Sequence, residues 1–335
     1  MPRWATPTIA IALLAGLVAL ALAKINLRGL GSALVHVSAG WLAFACVLMV
    51  AAFLVRGESW FVVIRSALPG ERVPRPVVIR ALFIGMAGSS VAPGRLGEAA
   101  RVLVVSRHLA DPTRSIAVLA GTVLAQTVLN LLALIVLAAV TLGAGAIPGA
   151  RTGGILAAIG LPLVLVVLAL AASQGLVRAG ERPGGLPRPL AWIARQVVDA
   201  RNGLRVFRQP GAAAHASATQ LVAWAMQWAC CYGVLLALGL SHRAGLAAAA
   251  VLLAVNVTAI VPVTPSNVGV FQAACIAVLA VFGVRSAHGL AYGLVLQAIE
   301  IGAAFALGLP SLLREGVSVG QLRALTGPRE APPDR

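Results

Sequence analysis

From position 116 to position 140 the chain runs IAVLAGTVLAQTVLNLLALIVLAAV, 25 residues without a charge. A helix rises about 1.5 Å per residue, so this run reaches roughly 37 Å, more than the ~30 Å of hydrocarbon in a bilayer. Five further runs, 7–23, 39–55, 154–173, 216–240 and 288–310, are long and apolar enough to be read the same way. The whole chain is 60% hydrophobic and 11% charged, against about 25% charged in soluble domains. These features exclude an ordinary soluble domain and predict an all-α polytopic membrane protein with about six full spans.

Four apolar pieces are too short for that role: 81–92, 96–106, 247–262 and 270–284. As a helix, 81–92 covers only about 18 Å. The run 7–23 follows a basic start and ends on Ala-x-Ala, like a secretion signal, but is longer than a cleaved apolar core. It is expected to stay as the first span.

Charge orients the spans. Net charge is +16, and of 26 basic residues only Lys24 is a lysine. With the amino terminus inside, 21 of the 26 fall on the cytoplasmic side, in 56–80, 95–114, 174–213, after 310 and at Arg3. Lys24, Arg28, Arg151, Arg243 and Arg285 remain outside. This asymmetry is what the positive-inside rule requires. It predicts that both termini lie in the cytoplasm. Arginines confined to loops between apolar runs do not make a nucleic-acid surface, and no zinc spacing or nucleic-acid motif occurs. Cys46, Cys230, Cys231 and Cys275 lie in apolar segments without metal-ligand spacing, and no HExxH is present. No metal and no cofactor is expected.

The orientation constrains the short pieces. Loops 56–80 and 174–213 are both inside, and spans 116–140 and 154–173 make one round trip between them. Residues 81–114 must then leave the cytoplasm and return, which predicts a re-entrant hairpin shielded by protein. By the same reasoning 247–284 starts and ends outside, as a second hairpin or a pair of short spans. The result is one integral membrane domain with two repeats, 39–140 and 216–310, of inverted topology. A basic linker, 174–213, joins them, and a cytoplasmic tail, 314–335, is expected to be disordered. The hairpin turns match: Pro93-Gly94-Arg95-Leu96-Gly97 and Pro265-Ser266-Asn267-Val268-Gly269. Broken helices at corresponding places in inverted repeats point to a transporter's midplane site.

The first turn carries the chemistry. Gly94 permits the bend and Gly97 lets the next helix pack closely, while Arg95, Glu98 and Arg101 recur on one face of that helix. An arginine in a first helical turn opposes the helix dipole. An anion at that helix end, held by backbone N–H groups and guanidinium, would account for it. Mutual neutralisation of the three charges is the competing account. In the second turn Ser266 or Asn267 can cap the following helix, with Gln272 inside it. Glu300 is the lone acid of its span, read as a proton site or as a salt bridge to Arg95 or Arg101. Gln126, Asn130, Asn256 and Gln297 are expected to bond from helix to helix.

The PxRxGExxR pattern of Pro93, Arg95, Gly97, Glu98 and Arg101, with Pro262-x-x-Pro265 and Gly269 later, resembles the flippase-like membrane domain of lysylphosphatidylglycerol synthases. The resemblance covers nearly the whole chain. Where that family commonly has E-R-x-x-D, this chain has Gln126, Thr127 and Asn130; where it has Pro-Gly-Gly-x-Gly-x-x-Glu, this chain has Ser266, Asn267 and Gln272. No soluble aminoacyl- or glycosyltransferase domain is read in this sequence.

The resemblance and the site together imply a translocator of a lipid or lipid-linked head group. Its partners are anionic or polyprenyl-phosphate-linked lipids, and no nucleic acid. The substrate-binding candidates are Arg95, Glu98, Arg101, Gly94, Gly97, Ser266, Asn267, Gln272 and Glu300. Two other readings stand beside it: a non-transporting partner of a lipid- or glycan-modifying enzyme, and a membrane enzyme acting on lipid phosphate. The last lacks a nucleophile or an accompanying histidine, so no enzymatic activity is expected.

Overall fold

The computed structural model describes residues 37–91, 96–144, 200–259 and 267–316, together with position 160. The predicted spans 7–23 and 154–173, most of the linker 174–213, and the tail beyond 316 lie outside the described residues. Everything described is helix or turn, in the order α1 (Ala39–Ala67), α2 (Arg75–Val91), α3 (Leu96–Ser106), α4 (Pro112–Gly143), a 3₁₀ turn (Arg205–Arg208), α5 (Pro210–Ala237), α6 (Ala244–Thr258), α7 (Val270–Val281) and α8 (Ser286–Arg314).

Four helices, α1, α4 from Ser115, α5 and α8, are long and apolar enough to cross a membrane. They fall on four of the six predicted spans. The short pieces are helices too: α2, α3, α6 and α7 have 17, 11, 15 and 12 residues. At about 1.5 Å per residue none reaches the ~30 Å of hydrocarbon. Long, short, short, long is therefore the order in 39–143 and again in 210–314.

Helix ends differ from the sequence expectation in one consistent way. Residues 56–67, expected in a loop, continue α1 for three more turns, and α2 begins at Arg75 rather than at 81. A hydropathy boundary falls at the first charge, whereas a helix continues wherever its polar side chains find partners. Here Arg56 Nη2 donates to Gln227 Oε1 at 2.7 Å, Glu58 pairs with Arg75, and Ser59 Oγ donates to the Ala216 carbonyl at 3.0 Å. In the same way α5 begins at Pro210, inside the stretch assigned to the linker. Pro is tolerated in a first helical turn because its missing N–H would have no intrahelical partner there.

The chain divides into two compact units that interleave along the sequence. The first takes in residues up to Arg56, Thr127–Gly175 and Ser217–Ala303; the second takes in Gly57–Gln126, Leu176–Ala216 and the residues from Ala304. Each long helix gives one end to each unit, and each unit holds one short-helix pair.

In the first unit α6 packs on α7. Small residues let α7 meet α8 closely, Gly289 against Ile276 and Gly293 against Cys275 and Gln272. The Tyr292 hydroxyl donates to the Cys231 carbonyl at 3.1 Å, tying α8 to α5. In the second unit α2 packs on α3, and the end of α8 is held to them by Glu315. That carboxylate accepts from Arg80 Nε at 2.6 Å and lies 3.3 Å from His108 Nε2.

Candidate functional site

The α2–α3 hairpin owes its closeness to glycine. A Cβ built on Gly97 would overlap the Gly85 carbonyl and both the backbone and the hydroxyl of Ser89. Gly88 faces the same crossing, where an added Cβ would come within 3.2 Å of the Gly97 Cα. The arms thus meet backbone to backbone, as small residues allow wherever helices pack within a membrane. Gly97 performs the role expected of it from sequence.

Arg101 sits one turn further along α3 and is 8% exposed. Its Nη1 donates to Gln126 Oε1 at 2.8 Å, and Gln126 on α4 is itself 2% exposed. The guanidinium carbon lies 4.6 Å from the centre of the Trp60 ring, a cation–π distance. Trp60 is held in turn: its Nε1 donates to Thr122 Oγ1 at 3.0 Å, and that hydroxyl donates to the Leu119 carbonyl. Three elements, α1, α3 and α4, therefore converge on one buried cation in the second unit. The aliphatic part of the same arginine packs close to Gly85 on α2, where a Cβ would come within 3.2 Å of it.

Glu98 is half-buried in the first turn of α3, where a carboxylate complements the positive end of the helix. Gly94 and Arg95 lie outside the described residues, as does Ser266.

The second hairpin is built differently. Asn267 takes a left-handed backbone, φ 52°, and Gly269 follows with φ 87°. Asn is among the few non-glycine residues that accept this region, so it can stand where the resembling family carries glycine. Gln272 Oε1 accepts the Gly269 N–H at 2.7 Å and so caps α7; its Nε2 donates to Gln297 Oε1 on α8. Of the described residues it is Gln272, rather than Asn267, that supplies this cap. An amide can do both tasks at once, because it carries an acceptor and a donor.

Glu300, in the first unit, has Arg56 as the cation in electrostatic range, and Arg56 is hydrogen-bonded to Gln227. Among the described residues this replaces the bridge to Arg101 read from sequence. The buried amides behave as expected at three of four positions. Gln126 bonds to Arg101, Gln297 to Gln272, and Asn130 Oδ1 accepts from both Gln220 Nε2 and Trp224 Nε1. Asn256 instead donates to the Leu252 carbonyl within its own helix.

Sequence reading missed Trp60, Thr122, Arg56 and Gln227. The available signal was the three-to-four-residue period that joins Arg56 and Trp60 to the apolar part of α1, which a span boundary at Val55 cuts away.

No curated protein and no solved structure matches the chain. The family model described as the lysylphosphatidylglycerol synthase TM region matches residues 8–308. With most of its length covered, the chain belongs to the lysylphosphatidylglycerol synthase transmembrane-region family, a multi-pass membrane family with a lipid-related role.

Proposed function

We propose that this protein moves the head group of a lipid, or of a lipid-linked molecule, across a bacterial inner membrane, binding its phosphate at the first hairpin turn. The observation that carries the reading is Arg101, a guanidinium buried within an apolar helical unit beside a break between two short helices. Ionisable groups at such depth are costly and mark substrate or ion paths. Trp60 and Gln126 hold the guanidinium in one orientation. An anion arriving at the turn would meet Arg101, Arg95 and the N-terminal amides of α3 together. Glu98 would set the arginine geometry or take a proton.

The repeated long–short–short–long order supports alternating access, in which the two repeats move about the site. Gln272 and Asn267 would shape the second turn, with Ser266 beside them, and Glu300 with Arg56 would set the charge balance within the spans. Of the arginines at described positions, eleven belong to the second unit and three to the first. That asymmetry supports a cytoplasmic carboxyl terminus, which the second unit contains. The protein acts without chemical catalysis in this reading, and its partners are the lipids themselves.

The test is lipid flip in reconstituted vesicles with headgroup-labelled phosphatidylglycerol and a polyprenyl-phosphate probe. Wild type should move at least one of them. Gln126→Glu should slow that movement about tenfold or more, because it sets a carboxylate within hydrogen-bonding reach of Arg101, where it competes with an incoming phosphate. Movement unchanged in well-folded Gln126→Glu and Arg101→Met would remove Arg101 from the path, and no movement by wild type would reject the function.

A further inference from the structure

A second set of cations lies in the first unit, on residues that the hairpin site does not use. The loops joining α5 to α6 and α7 to α8 come together around a cavity of about 300 Å³. Its polar wall includes Ser241 and His242 from one loop, Arg285 from the other and His288 from the first turn of α8; its apolar wall includes Leu235, Leu279 and Phe282. Both loops turn on left-handed glycines that also line the cavity, Gly239 at φ 71° and Gly283 at φ 78°. Arg243, directly after His242, is left-handed as well, at φ 50°, a conformation that costs a non-glycine residue free energy.

Three properties define what could bind there. First, no carboxylate balances the charge. In the sequence stretches of this unit the sole acid is Glu300, twelve residues beyond His288 along α8 and so roughly 18 Å away. Among the described residues no ion pair involves His242, Arg285 or His288. Second, α6 and α8 start immediately after the two loops, bringing the positive ends of two long-enough helices to the cavity rim. Third, an arginine with two imidazoles and no thiolate or carboxylate is a set for oxyanions rather than for metal ions.

The position along the helices indicates where such an anion would come from. The Ser38 N–H donates to the Ala237 carbonyl, so α1 begins beside the end of α5. Around that point Trp41, Phe44, Trp228 and Tyr232 form a partly exposed aromatic cluster, with Trp228 stacked on Tyr232 and bonded to the Gly245 carbonyl of α6. Tryptophan and tyrosine collect where hydrocarbon meets head groups. The cavity therefore opens at headgroup level, with a cationic wall and an apolar wall.

We propose that this cavity binds the phosphate of an anionic lipid through His242, Arg285 and His288, with the lipid's apolar portion against Leu235, Leu279 and Phe282. The site is separate from Arg101 and stands whether or not the hairpin carries a translocated substrate.

Native mass spectrometry of the full chain, released from micelles carrying either phosphatidylglycerol or phosphatidylcholine, tests it. Wild type should retain phosphatidylglycerol in preference to phosphatidylcholine. Arg285→Gln should lower phosphatidylglycerol affinity about tenfold, the loss of one charge-assisted contact, and His288→Gln by a smaller factor. Arg314→Gln, an exposed arginine far along α8, should leave it unchanged. Inorganic phosphate titrated into the same sample separates the two sources of the anion. Failure to displace the lipid makes the lipid the ligand, and displacement in wild type but not in Arg285→Gln makes free phosphate an equal occupant of the same site. The proposal is overturned if Arg285→Gln and His288→Gln bind phosphatidylglycerol as wild type does, or if Arg314→Gln loses as much.

Discussion

The two short-helix pairs of this protein occupy equivalent places in the element order yet are held together by different chemistry. In the α2–α3 pair the arms touch backbone to backbone at Gly85, Gly88 and Gly97, and a buried arginine fills the space behind them. In the second pair the contact is made by side chains. Gln272 caps its own helix and reaches Gln297, while Asn267 and Gly269 bend the turn. The first arrangement has no slack, because backbone atoms cannot rotate away. The second can lose one amide and still close. A charged group sits in the first pair, where Trp60 and Gln126 form its seat; the polar groups described in the second pair carry no charge.

The contrast predicts a ranking of effects. Gly97→Val should be the most damaging change. Its side chain would displace the Gly85 carbonyl, costing roughly 3 kcal/mol or more. Loss of the monodisperse species in detergent, or a large fall in the thermal midpoint, would show it. A Gly97→Val protein as stable as wild type would mean that the arms can separate and that the hairpin is not clamped.

Arg101→Met comes next. It leaves the buried Gln126 oxygen short of a donor, for about 1–3 kcal/mol. Its effect on flip should exceed anything the stability loss explains, because the chain remains folded while the cation is gone. If Arg101→Met loses stability but keeps full movement, the arginine is a clamp and the two hairpins differ only in architecture.

Gln272→Ala removes a cap and a cross-helix bond, for about 1–2 kcal/mol in the same thermal measurement. Gln272→Glu should recover the cap alone, and so fall between the alanine variant and wild type. Equal losses in both variants would place the whole effect on the Gln297 bond. The smallest change expected is Asn267→Gly. It relieves a left-handed residue but gives the unfolded chain more freedom, leaving a net shift within about 1 kcal/mol.

Much of this architecture can be read from the amino acids. The boundaries of α3 match the sequence expectation at both ends, Leu96 and Ser106, because Pro93-Gly94 breaks the chain just before it and polar residues crowd in just after it. Gly97 was legible as a close-packing residue for the same reason: a glycine inside a new helix, beside a break, has few other uses. The partners of Arg101 were not legible. Trp60 and Gln126 stand 41 positions before and 25 positions after it, and no local pattern links them. Nor was the seat of Glu300, since a hydropathy boundary at Val55 assigns Arg56 to a loop when it belongs to a helix that continues to Ala67.

What the sequence by itself determined is the class of solution. Apolar runs of bilayer length leave the backbone no partner but itself, so they must be helices. What only the tertiary structure decided is pairing. Which amide meets which guanidinium, which helix supplies a cap, and which two loops enclose a cationic cavity depend on contacts between residues far apart in the chain. Those contacts are chosen by packing geometry, which residue order does not display.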